Sequence, residues 1–586
     1  MSQKLALVLA MKLAAFMSQT AMTEQALPPV NRWIPQDAVI VLEVSKPTAL
    51  LEVLTNGKAT AAVTALPLYK EQASKPQFKE FLNIINFIEI TLDTDWRTGL
   101  AKLTGDGITL AICPDNIVLA FIDAEDEYML ERLHEFFLNI ARSEAEKRDQ
   151  SDRVTSKEYD GVTVWTFDGE EAHAIIGKRL VFANRLEGLK AVLELRGGAK
   201  GTSLVSNSTY QAAKRTAEPD VVATVFTNLK PLMQLPQVAQ LLEQQRENPL
   251  AALSFAGIAE AVRDSNWLAL VLHIEDSTLV LRAMVDGQMI APTSPAAFAV
   301  PNNLGEGVLP NLSVPRRIAA LSFYRDLHQF YVMKDELFPE RTSGLIFFEN
   351  MMGIFFSGRD LTDEVLAETK PEIRFVVAEQ KYDPTIGTPQ IKLPAFGAIL
   401  RLRHPVEFNE VVEEAWQKAV GLINFTRGQQ ALPGLIIDRP IHKKTKFTVA
   451  YFSTSGIDDK TSLDQRFNIR PALAMPGEYL ILSSTEGLAR DLIDALNQEM
   501  ERSVEQLSGI HSSVEIDGGQ LSSILEANRE TLVRGDMIKK GSTQEEAETG
   551  ISMLITLVNL VDNVKLSIGL HEGMTQANLE MKLNLE

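Results

Sequence analysis

A chain of 586 residues is too long for one ordinary hydrophobic core, so two or more domains are expected. Its 45% apolar and 23% charged residues are those of a folded globular protein, neither disordered nor membrane-embedded. With 57 basic against 77 acidic residues the formal charge is −20, which argues against nucleic acid as a partner, because that affinity rests on lysine and arginine neutralising phosphates.

At the N-terminus, MSQK is followed by the apolar LALVLAMKLAAFM and then by the small and polar SQTAMTEQA. A basic start, an apolar stretch and a small-residue region are the layout of a secretory signal peptide, expected over residues 1–27. Lys12 interrupts the apolar stretch, no A-x-A site follows, and Met11 is an alternative start. The expectation is an exported protein, periplasmic or extracellular. The competing reading is a loose N-terminal helix on a cytoplasmic chain. No later segment has the 18 or so uninterrupted apolar residues of a spanning helix, so no transmembrane helix is expected in the mature chain. ISMLITLVNLVDNVKL is broken by Asn559, Asp562 and Asn563 and reads as a helix running into a strand.

From residue 34 onward the elements follow in order. IPQDAVIVLEV (34–44) is an apolar-proline pair running into a strand. DWRTGLAKLTGDGITLAI (95–112) is a short helix, a turn and a strand. IVLAFIDAEDEYMLERLHEFF (117–137) is a strand followed by a long helix. That helix carries Met129, Leu130, Leu133, Phe136, Phe137 and Ile140 at helical spacing, and the acids from Asp123 to Glu127 suit its N-terminus. VTVWTF (162–167) alternates as a half-covered strand does. LVFANRLEGLKAVL (180–193) is a strand, a polar turn and a helix, with Asn184 as the expected cap. GGAKGT (197–202) lacks phosphate-loop spacing and reads as a glycine stop to that helix. VVATVFTNLKPLM (221–233) and the hairpin-like WLALVLHIEDSTLVLRAMV (267–285) complete the set.

The same patterns then return in the same order. They are VPRRIAALSFY (314–324), LTDEVLAETKPEIRFVVA (361–378), AILRLRHPVEFNEVVEEAW (398–416), FTVAYF (447–452), YLILSSTEGLARDL (479–492), SVEIDGGQLSSIL (513–525) and VKLSIGLHEGMTQANLEMKL (564–583). In the second strand–turn–helix the expected cap is Ser483 or Ser484. Between the two sets, residues 287–313 are rich in proline, glycine and asparagine, as a domain boundary is. We expect two tandem, duplicated modules, 28–286 and 314–586, joined by 287–313. Short connections such as ITLAIC to NIVLAFI and HAIIG to RLVFAN permit antiparallel neighbours. The expected class is α+β, antiparallel sheet with helices packed on one face.

Chemical motifs are sparse. The one cysteine, Cys113, cannot form an intramolecular disulfide and reads as a small buried hydrophobe. No G-x-S-x-G elbow occurs. Histidines stand at 134, 173, 273, 328, 404, 442, 511 and 571, with no i, i+4 pair. The acidic runs lack calcium-loop spacing. The basic run from His442 to Lys446 reads as a solvated guard on a strand edge. The five tryptophans (33, 96, 165, 267, 416) read as core or edge packing. The sequence therefore nominates no catalytic, cofactor-binding or metal-ligating residue and no cofactor.

IPQDAVIVLEV, DWRTGLAKLTGDGITLAI, EYDGVTVWTF and LVFANRLEGLKAVLE with LVSNSTYQAA resemble bacterial exported proteins carrying an uncharacterised DUF-type domain. The resemblance covers most of 34–286 and, more faintly, 314–586. It implies an envelope or extracellular protein with no assigned activity. The expected function is non-enzymatic, by binding or assembly, with self-association or an envelope protein as partner. Two alternatives stay open. One is a hydrolase whose carboxylates or histidines converge on folding; the other is a periplasmic carrier or chaperone for an apolar ligand held against a half-covered sheet.

Overall fold

The structure is a computed structural model. It describes residues 27–585 apart from 66–68, 70–72, 74, 76–85, 87–88, 91–92, 148–152, 168–169, 199–200, 217, 219, 239–248, 288–293, 295, 302, 304, 339–341 and 503. Residues 1–26 of the expected signal peptide lie outside the described residues.

The strands in chain order begin with β1 (Ile40–Val44), β2 (Gly107–Cys113), β3 (Ile117–Asp123), β4 (Val154–Tyr159), β5 (Val162–Phe167), β6 (Glu171–Ile176) and β7 (Arg179–Ala183). Then come β8 (Ala223–Asn228), β9 (Trp267–Glu275), β10 (Thr278–Val285), β11 (Gly307–Val308), β12 (Arg317–Tyr324), β13 (Thr369–Ala378) and β14 (Ala395–Leu402). The last are β15 (Ile436–Asp438), β16 (Ile441–His442), β17 (Thr445–Tyr451), β18 (Ala472–Ala474), β19 (Tyr479–Ser483), β20 (Leu507–Ser508), β21 (Ile510–Asp517), β22 (Val561–His571) and β23 (Met574–Leu583). The chain is α+β, and its strand pairs are antiparallel.

Two compact units divide the chain, Met1–Ala38 with Lys102–Gln211, and Val39–Ala101 with Ala212–Glu586. In the first, the sheet runs β2-β3-β7-β6-β5-β4. Helices α1 (Glu127–Lys147) and α2 (Leu186–Arg196) belong to it. Asp126 caps α1 by accepting from Met129 N at 3.0 Å, as the acidic run implied. Gly188 lets α2 lie close on the sheet: a Cβ there would stand 2.7 Å from Ile117 Cγ2 and 3.1 Å from Leu119 Cδ2. Gly198, with φ +68°, stops the chain after α2 in the left-handed conformation. Cys113 is buried, and burial, reinforced by Asp37, pushes its thiol up to about 12.

In the second unit the strand order is β1-β8-β9-β10-β23-β22-β21-β12-β13-β14-β19-β18-β17-β15, with β16 also on β17. Its helices include α3 (Pro249–Arg263), α4 (Leu327–Val332), α5 (Thr342–Phe355), α6 (Pro405–Gln429) and α7 (Glu486–Arg502). Here helices cover both faces of the sheet rather than one. Ile399 and Ile481 join a core with Leu488, Leu492 and Leu496 of α7. Their strand neighbours Leu402 and Leu480 join another with Phe408 and Val412 of α6. Successive strand residues point to opposite faces, and AILRL and YLIL are apolar on both.

Three smaller expectations are corrected. Asn184 does not cap α2; its side chain accepts from Val118 N and donates to Asn116 O, closing the β2–β3 turn. The cap of α7 is Thr485, which accepts from Leu488 N, while Ser484 accepts from Phe396 N and Ser483 from Thr485 N. The basic run is a two-residue hairpin turn: Lys443 and Lys444 take φ +43° and +71° between β16 and β17, the handedness that matches strand twist. Of the tryptophans, Trp33 and Trp267 are buried, and Trp96 is exposed.

Candidate functional site

Helices α3 to α6, residues 361–366 and strands β13, β14 and β19 of the second unit line an apolar cleft of about 750 Å³. Its floor is the sheet face bearing Leu400 and Leu402 of β14 and Leu480 and Leu482 of β19. One wall is α6, where Phe408, Val412, Ala415, Trp416 and Ala419 recur at the spacing of a single helical face. The other is α5, presenting Leu345, Phe348, Met352 and Phe355. Leu253 of α3 and Phe330 and Tyr331 of α4 close the end.

Polar chemistry is nearly absent from the lining. Its two hydroxyls are both committed to backbone: Tyr331 Oη donates to Leu345 O at 3.0 Å and Thr369 Oγ1 to Leu366 O at 2.7 Å. Burial, with Glu349 and Asp360 in the vicinity, pushes the Tyr331 phenol up to about 12, so it stays neutral at physiological pH. No group on this wall is poised to act as a base or nucleophile. A lining of this composition is suited to removing apolar surface from water.

The apolar surface continues past the cleft. Phe375 and Phe396 occupy the same sheet face as the floor residues Leu400 and Leu482 and are 40% and 59% exposed. Helix α5 is apolar all round: Phe347 and Ile354, on the side away from the lining, are 70% and 72% exposed. Sequence reasoning missed this site. Its trace is LIFFENMMGIF (345–355), whose one charge is Glu349 and which carries no polar face.

The histidines are dispersed apart from one pair. His134 and His173 meet in the first unit. His404 bonds Glu368, His442 bonds Asp494, and His511 bonds Ser512. Burial beside Arg325 holds His511 neutral, with its pKa lowered to about 3. Arg325 is itself buried and donates to the carbonyls of Leu253, Ser254, Ala299, Tyr324 and His511, which ties α3 to the sheet. Glu478 pairs with Lys370 and Arg401, and Glu372 pairs with Arg401 through Oε1, while Glu372 Oε2 is buried without a hydrogen-bond partner. Among the described residues no group of three or more His, Cys, Asp or Glu could hold a metal ion, and no helix is long and apolar enough to cross a membrane.

No family model matches the chain, and no curated protein matches it. Among solved structures it is similar to the structure of crystal form I of TP0453, at 9% identity and a TM-score of 0.22, over 45% of this chain and 80% of that one. Crystal form III of the same protein gives 9% and 0.25 over 47% and 86%, and crystal form IV gives 10% and 0.24 over 45% and 83%. Function is left to the chemistry of the chain itself.

Proposed function

We propose that this chain is a non-enzymatic binding protein that carries an apolar chain, such as the acyl tail of a lipid, in the cleft between α5, α6 and the β14–β19 face. The observation that carries this reading is the cleft itself, about 750 Å³ in volume and walled by aliphatic and aromatic side chains whose only hydroxyls are already paired. A volume of this order suits a small ligand, and burying its apolar surface is worth roughly 25 cal/mol per Å². Export to the envelope or medium is part of the same reading. It rests on the layout of residues 1–27 and on the resemblance to exported DUF-type proteins.

The fold is read as a tandem duplication of modules 28–286 and 314–586. Two observations support it. The order β1-β8-β9-β10 is repeated by β12-β21-β22-β23, and β2-β3-β7-β6-β5-β4 by β13-β14-β19-β18-β17-β15. At the β10–β23 pair, Arg282 lies opposite Asn578, each the fifth residue of its strand. Equivalent positions meet in this way when two copies are related by a two-fold axis.

The test is displacement of a fluorescent fatty acid, cis-parinaric acid, by unlabelled acyl chains on the purified full-length chain. Saturable binding is expected, together with its loss in Val412→Trp, whose indole fills the space between α6 and the sheet. A melting curve checks that the variant is folded. Absence of saturable binding, or equal binding by the folded variant, overturns the proposal.

A further inference from the structure

Helix α1 lies in the first unit with Met129, Leu130, Leu138 and Ala145 buried. On the same helix stands His134, whose Nε2 is 2.9 Å from Nε2 of His173 on β6. His173 is 7% exposed and stacks on Phe167, ring centroids 5.3 Å apart and planes 14° off parallel. The His134 ring stands edge-on to Trp165 at 6.2 Å, and Arg142, two turns further along α1, lies 5.0 Å from the centre of the same indole. Two imidazole nitrogens at this separation share one proton: one Nε2–H donates and the other Nε2 accepts. The contact therefore needs at least one neutral ring. With both rings protonated, two N–H donors face each other and the hydrogen bond is gone.

We propose that the His134–His173 contact is an acid-sensitive latch that holds α1 on its sheet and releases it when both rings carry protons. The charged neighbours on α1 are Glu135, which favours protonation of His134, and Arg142, which opposes it. From the strands His173 faces His134, flanked by the uncharged Trp165 and Phe167, and Arg153, Glu170 and Glu171 line a cavity with Ala141, Glu144 and Ala145 further along α1. Protonating both rings would place three cations, with Arg142, around one aromatic cluster.

The sign follows from proton uptake. Burial, with Arg142, holds His134 below its ordinary range, and burial beside His134 lowers His173 to about 4. Free imidazoles titrate near about 6.5. Between these limits the detached state binds more protons than the latched one, so acid favours detachment. The latch is at full strength above about 6.5 and is lost as pH falls towards about 4. Release uncovers Met129, Leu130 and Leu138, and with them a new apolar surface.

Hydrogen exchange of the full chain tests this, read by mass spectrometry at about pH 7.5 and about pH 5 with rates corrected for intrinsic exchange. Peptides of α1 are expected to lose about tenfold or more in protection on acidification, and those of α6 are not. His134→Gln and His173→Gln each keep a neutral hydrogen-bonding group and remove one titration. Either variant is expected to lose less protection at the lower pH than the natural protein does. The latch is refuted if α1 and α6 change together in the natural protein, or if both glutamine variants lose as much protection as it does. The first comparison decides even where neither variant folds.

Discussion

The two strand–turn–helix segments, 179–196 and 479–502, share Glu-Gly-Leu and differ in how they use it. In the first, Gly188 on the helix makes room for Ile117 and Leu119. In the second, Gly487 has nothing within 4 Å, and the close approach occurs on the strand instead, where a Cβ on Gly397 would stand 2.7 Å from Leu492 Cδ1. In each segment the close approach of helix and sheet falls at a glycine, on the helix in one and on the sheet in the other. The glycine is thus a packing device in one segment and a surface residue in the other, where Leu488 still packs in the core. Caps diverge too: Thr485 caps α7 with its side chain, whereas α2 starts at Arg185 with no side-chain cap.

The largest expected effect separates the buried ion pairs of the two regions. Arg374 and Glu499 have side chains 2% and 10% exposed, while Arg179 is buried against an Asp123 that is 19% exposed. Arg374→Met strands a buried carboxylate and is expected to cost about 3–5 kcal/mol in urea unfolding. Arg179→Met is expected to cost less, because water reaches Asp123; equal losses would break the contrast. Next comes the glycine pair. Gly188→Ala is expected to destabilise by about 1–3 kcal/mol through overlap with Ile117, and Gly487→Ala to stabilise by about 0.5 kcal/mol through helix propensity. If both changes shift stability in the same direction, the packing distinction fails. Thr485→Ala is expected to cost about 1 kcal/mol as a lost cap. Against it, Asn184→Ala should loosen the β2–β3 turn while leaving exchange protection of α2 unchanged. Faster exchange in α2 would restore Asn184 as a helix residue.

Much of the strand and helix content was legible because apolar period and turn residues are local signals. The adjacent pairs 107–113 with 117–123 and 171–176 with 179–183 were readable from short connections alone. Burial of Cys113 followed from alternation in ITLAIC. The caps were misread because Asn and Ser satisfy any nearby N–H: Asn184 and Ser484 found ones on neighbouring strands, and Ser483 found that of Thr485. The cleft was not legible at all. Its lining comes from α3, α4, α5, α6, residues 361–366 and three strands, segments spread from residue 249 to residue 482.

By itself the sequence determined the α+β class and the antiparallel neighbours joined by short connections. These depend on period, spacing and residue type, which local chemistry decides. Only the tertiary structure decided that helices cover both sheet faces in the second unit, that α5 keeps an apolar outer side, and that His134 finds His173. Each of these depends on which distant surfaces meet, and a local pattern does not specify its partner.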